Sequence, residues 1–67
     1  MAEFCNRCAE KYGMKADINL PIIALRLKKG KTIEFAPCEG CRICAIRQNN
    51  SGIIEIRKNN SEHWETY

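Results

Sequence analysis

Two C-x-x-C pairs, "CNRC" at 5–8 and "CEGC" at 38–41, stand 29 residues apart in a chain of only 67. A chain this short buries too little of its surface for an apolar core alone to hold it firmly, so something else must staple it. Phe4, Tyr12, Phe35, Trp64 and Tyr67 are its only aromatics, whereas five cysteines are far above ordinary usage. The staple is therefore built on sulfur.

Sulfur cross-links a chain either as disulfides or through a metal, and the compartment decides between them. The start "MAEFCNRC" has neither a basic segment nor an apolar one, and no later run approaches the length of a membrane span. The expectation is a soluble, cytoplasmic protein with no membrane partner. In a reducing compartment paired C-x-x-C motifs serve as metal ligands more often than as disulfides, and an odd number of cysteines fits disulfide pairing poorly.

Zinc takes four soft ligands in a tetrahedron with sulfur at about 2.3 Å, and two cysteines separated by two residues grip one edge of it because the backbone between them turns tightly. Cys5, Cys8, Cys38 and Cys41 then form one closed four-thiolate site. Gly40, inside the second pair, is expected to take a conformation other residues resist and to help backbone amides point at the thiolates. The spacer exceeds the usual 15 to 20 residues of the motif, enough for a full hairpin excursion. Cys44 is the odd cysteine. It either replaces Cys38, since "CRIC" is equally well spaced, or lies as a small buried hydrophobe on a strand. His63, alone in a polar segment, reads as a solvated side chain rather than a ligand.

The organisation follows from periodicity. "AEKYGMKA" at 9–16 suits a short turn or a single helical turn interrupted at Gly13. From 22 onward Ile23, Leu25 and Leu27 alternate with Ala24, Arg26 and Lys28, and Ile33 and Phe35 alternate with Thr32 and Glu34. Around a lysine-rich turn at Gly30, closed by Pro37, this reads as a β-hairpin. The competing reading is a short helix over 20–28, capped by Asn19 with Pro21 in its first turn. "ICAIRQ" and "IIEIRK" flanking "NNSG" predict a clearer hairpin. The fold class expected is a small metal-stabilised, β-rich, zinc-ribbon-like single domain over 1–67, with two knuckles, β-hairpins and at most one short helix. A polar tail is expected over about 59–67, with Trp64 and Tyr67 folding back over the sheet to finish a thin core.

Eleven Lys and Arg against eight Asp and Glu give a formal charge of +3. Four thiolates around one divalent zinc add about −2, so the overall charge argues for no particular partner. Its distribution says more. "RLKKGK" at 26–31 carries four cations in six residues, and Arg26, Lys28, Lys29, Lys31, Arg42, Arg47, Arg57 and Lys58 all lie in the predicted hairpins. Alternating strand positions can place several on one face, as contacts to a protein or to nucleic-acid phosphates. No aromatic lies among them in the chain to stack a base, which weakens the single-strand case.

A closed site with four protein ligands is structural, because zinc catalysis needs an open position for water or substrate. No other catalytic constellation is present in the sequence, so the expectation is a non-enzyme without a small-molecule substrate. A thiol redox role would place the first cysteine at a helix N-terminus after a core strand, and no strand is expected before "CNRC".

Two resemblances bear on function. In ligand spacing the two C-x-x-C pairs resemble rubredoxin, which implies iron in the same tetrahedron and one-electron transfer. The chain departs from that family in lacking its glycine and tyrosine after the first pair, the proline and glycine of its second knuckle, and its aromatic core and acidic surface. "FCNRCAEKYG", the later "CEGC" and a tryptophan near the end look like the small zinc-ribbon-type proteins of bacteriophages and prophages. This resemblance covers the two knuckles and the length between them, although "CEGCR" lacks the glycine common after the second pair. It implies an interaction module with one zinc rather than a catalyst.

Overall fold

The structure is a computed structural model that describes residues 3–67. Its chain order is α1 (Asn6–Tyr12), α2 (Leu20–Leu25), β1 (Thr32–Glu34), β2 (Ile43–Gln48), β3 (Ile54–Lys58) and β4 (Trp64–Thr66). The four strands form one antiparallel sheet in the order β1-β2-β3-β4. The β-rich class, with both cysteine pairs drawn to one end, is as expected. The helix count is two rather than at most one.

The first helix starts inside the first cysteine pair instead of after it, with Cys5 as N-cap residue. Gly13 ends it rather than interrupting it. Its φ of 68° lets its N–H reach Glu10 O while Met14 N–H reaches Ala9 O, a crossed pair of bonds that closes the helix end.

The hairpin expected over the stretch from 22 is replaced by α2. Asn19 Oδ1 accepts the Ile22 N–H at 3.2 Å, and Pro21 sits in the first turn, where its missing N–H costs nothing. These local signals outweigh the period-two pattern, because helical spacing buries Leu20 and packs Ile23 and Ala24 on the core while leaving Leu25 86% exposed. Thr32–Glu34 is still a strand, but its partner is β2.

The hairpin of β2 and β3 forms as expected, with Ile46 opposite Ile56 and Gln48 opposite Ile54. One irregularity matters for the site: the register slips at Cys44, so two residues of β2 oppose one of β3. Ile43 and Ile46, an odd number of positions apart, therefore both enter the core. The core consists of Cys5, Ile18, Leu20, Leu27, Cys38, Ile43, Ile46 and Ile56. The two sulfur-bearing members place the knuckles within it.

The segment 59–67, expected as a polar tail, carries β4. Arg57 stands opposite Trp64 and Ile56 opposite Glu65. Alternation along these strands separates the two aromatics: Tyr67 packs against the core, whereas Trp64 shares the outer face with Ala45 and Arg57. There Arg47 lies over the Trp64 ring at 4.1 Å and Arg57 at 5.7 Å from its centroid. Two guanidiniums and an indole thus roof the side of the sheet that has no helix, and Ala45 beneath is fully buried.

Candidate metal centre

The first knuckle is held by backbone pairing before its helix begins. Asn6 N–H donates to Ile18 O at 2.9 Å, and Ile18 and Asp17 N–H both donate to Phe4 O. Asp17 Oδ2 returns the contact by accepting the Phe4 N–H at 3.1 Å, and Asn6 Oδ1 accepts the Leu20 N–H. The second knuckle closes on itself and on β2: Arg42 N–H donates to Cys38 O, and Cys38 N–H to Ile43 O, both at 2.9 Å. Glu39 N–H to Glu3 O, at 2.8 Å, joins one knuckle to the other. These anchoring carboxylates and amides leave no signal in the local sequence, because each acts on a partner far along the chain.

These bonds bring the Sγ atoms of Cys5, Cys8, Cys38 and Cys41 within 4.8 Å of one another, with Cys5 and Cys41 3.6 Å apart. A tetrahedron with bonds of about 2.3 Å has edges of about 3.8 Å, so the spread brackets what a four-thiolate ion requires. Cys5 and Cys38 are buried and Cys8 and Cys41 half-buried. Cys44 is outside the group, buried at the β-bulge as a small hydrophobe. His63 is exposed and likewise outside it.

Gly40 serves the site for a reason other than the one expected. Its φ is not in the left-handed region; instead a Cβ there would lie 2.7 Å from Cys8 Sγ and 3.1 Å from Cys8 Cβ. The glycine is what lets the two knuckles touch. The left-handed residue of this knuckle is Arg42, at φ 69°, directly after the second pair.

The four thiols are electrostatically unequal. Burial pushes Cys38 up, yet the N–H groups of Cys41, Cys5 and Gly40 directed at its sulfur outweigh this and hold it at about 6. Burial pushes Cys41 up to about 12; the Ile43 N–H opposes, and the neighbouring sulfurs of Cys38 and Cys5 add to the rise. Cys8 is also raised, by burial first and then by Cys38 and Cys5. Four thiolates this close repel one another strongly unless a cation sits among them. The donor set fits a thiophilic ion such as zinc or iron, and all four positions are filled by protein.

The cations named from the sequence divide into two groups. Arg47 is held by Glu55 (Nε to Oε1, 2.9 Å) and Arg57 by Glu34 (3.6 Å) and the Ser61 carbonyl, in addition to their contacts with Trp64. An aromatic therefore does stand among the cations in space, brought there by β4. Lys58 lies 4.0 Å from Glu65, and Arg42 is exposed at the knuckle. Arg26, Lys28, Lys29 and Lys31 are all exposed and have no ion pair among the described residues. No helix is long and apolar enough to cross a membrane among the residues described. Compared with family models, curated proteins and solved structures, the chain matches none.

Proposed function

We propose that this chain is a structural-zinc module, in which one ion ties the N-terminal helix to the sheet and the rest of the fold presents a binding surface. The observation that carries this reading is the group of four sulfurs within 4.8 Å, contributed by two knuckles that each have their own backbone anchors. Cys5, Cys8, Cys38 and Cys41 would hold the ion as four thiolates. When bound, zinc supplies charge neutralisation and a cross-link, and with four protein ligands it has no open position for substrate.

The protein's own contribution is to preorganise the cage. Cys38 is kept as thiolate by three backbone N–H groups, Gly40 removes the steric barrier between the knuckles, and the bulge at Cys44 turns Ile43 into the core beneath them. A module of this kind acts by contact with protein or nucleic acid, in keeping with its resemblance to the small phage-type ribbon proteins.

Metal analysis of natively purified protein by mass spectrometry tests the proposal. One zinc per chain and a colourless solution support it. A red solution with one iron per chain replaces it with a rubredoxin-like electron-transfer reading, and no metal at all overturns both.

A further inference from the structure

The end of the sheet remote from the metal combines two features that the zinc reading leaves unused. One is the block of cations that have no ion pair among the described residues. Lys28, Lys29 and Lys31 surround Gly30 in a turn fixed to β2, with Gly30 N–H donating to Gln48 O at 2.8 Å and Gln48 N–H to Lys31 O at 3.2 Å. Lys29 reaches toward the β2–β3 loop, where a Cβ at Gly52 would meet its Cε at 3.6 Å. No acidic residue occurs in the chain from Ile18 to Ile33. The six residues of β2 carry this end about 17 Å away from the cysteine cluster, so the lysines stand at the opposite end of the sheet.

The other feature is a cavity of about 250 Å³ beside those lysines, lined by Gly30, Thr32, Arg47, Gln48, Asn49 and Asn50. Its lining residues bring amides, a hydroxyl and a guanidinium, and none is a large apolar or aromatic residue. A docking protein anchors with apolar or aromatic side chains and would find no pocket for them here. The volume is below that of drug-sized ligand sites and suits one planar ring with hydrogen-bonding edges. Arg47 is held by Glu55 and Trp64, so the part of its side chain that lines the cavity is fixed in place.

Resting on the module reading above, we propose that this end binds single-stranded nucleic acid: the cavity seats one unstacked base, and Lys28, Lys29 and Lys31 neutralise the flanking phosphates. Duplex is disfavoured because its bases are stacked and cannot enter.

The test uses zinc-loaded full-length protein and a fluorescein-labelled dT15 probe, read by anisotropy across a KCl series. Three neutralised phosphates give a log–log salt slope of about −2, or about a twentyfold loss of affinity between 50 and 200 mM salt. Replacing the three lysines together by glutamine flattens the slope toward zero. Asn50→Ala weakens dT15 several-fold and leaves the slope unchanged, as expected of a base contact. A labelled 15-residue polyglutamate binds less tightly than dT15, because it carries charge but no base. The proposal is overturned if the lysine variant keeps the slope, if polyglutamate or the matching duplex binds as tightly as dT15, or if dT15 does not bind. Zinc content and circular dichroism of each sample separate this failure from failure of the module: a folded, zinc-loaded protein that ignores dT15 sinks only the nucleic-acid site.

Discussion

The contact between Gly40 and Cys8 turns the architecture of the centre into a quantitative expectation. Gly40 has no left-handed φ, so alanine there meets no backbone strain, and the whole effect of Gly40→Ala is steric. The added methyl would sit 2.7 Å from Cys8 Sγ and 3.7 Å from the Phe4 ring, where ordinary carbon contacts run at about 3.5–4.0 Å. Either the sulfur or the second knuckle must move by roughly 1 Å. Overpacking of this size costs about 1–3 kcal/mol, and because the atom displaced is a ligand the cost appears in metal affinity. At about 2 kcal/mol the zinc affinity falls about thirtyfold. Competition against a chromophoric chelator measures it, and the visible spectrum of the cobalt-substituted protein reports the shape of the sulfur shell. Gly13→Ala, at a left-handed residue with open space around it, destabilises the fold but leaves that spectrum unchanged. Wild-type affinity and an unaltered cobalt spectrum for Gly40→Ala would refute the claim that this glycine sets the approach of the knuckles.

The remaining expectations concern other parts of the fold. Arg42→Gly removes an L residue from φ 69° and should raise the melting temperature of the zinc form by a few degrees, corresponding to about 0.5–1 kcal/mol; a lower melting temperature means that the Arg42 side chain contributes something its exposure hides. Cys44→Ala should retain one metal per chain while Cys38→Ser loses it, as counted by native mass spectrometry, and the reverse outcome would move the site to "CRIC". Trp64→Ala should cost about 2 kcal/mol through its lost stacking on Arg47 and Arg57 with metal stoichiometry intact, measured by denaturant titration of the zinc form. Zinc affinity should fall with falling pH. Within the folded cage burial raises Cys8 and Cys41, Cys41 to about 12, so these two sulfurs favour a proton over the bare thiolate at pH 7, whereas Cys38 is held at about 6. Protons compete with the ion, and displacing at least these two gives about a hundredfold loss of affinity per unit below neutrality. Calorimetry in buffers of different ionisation enthalpy counts the protons released, and a count near zero contradicts the assignment.

What the chain discloses and what it hides have distinct physical causes. The cluster of four cysteines is legible because a C-x-x-C spacing is itself the local geometry of a knuckle, whatever lies between the pairs. The β2–β3 hairpin is legible because its alternation and its "NNSG" turn are adjacent in sequence. At α2 two local patterns compete: Ile23, Leu25 and Leu27 alternate as a strand would, and only the Asn19 cap, Pro21 and the packing of Ile23 and Ala24 against the core decide for helix. β4 is an edge strand of three residues whose apolar content is one tryptophan, so nothing in its own composition marks it as part of the sheet. The Arg47–Trp64–Arg57 roof depends on cross-strand register, which no local window contains. Local sequence points to the conformational freedom of Gly40, but the fold needs its missing side chain, a requirement imposed by a residue 32 positions away.

The central claim is that one metal ion closes a fold too small to close itself. Removing the metal with a strong chelator under reducing conditions, while following the two-dimensional amide spectrum and the bound ion by native mass spectrometry, tests it directly. The account predicts one ion per chain, collapse of spectral dispersion as that ion leaves, and recovery on adding one equivalent of zinc. A chelated, metal-free protein that keeps its dispersed spectrum and cooperative unfolding would contradict it.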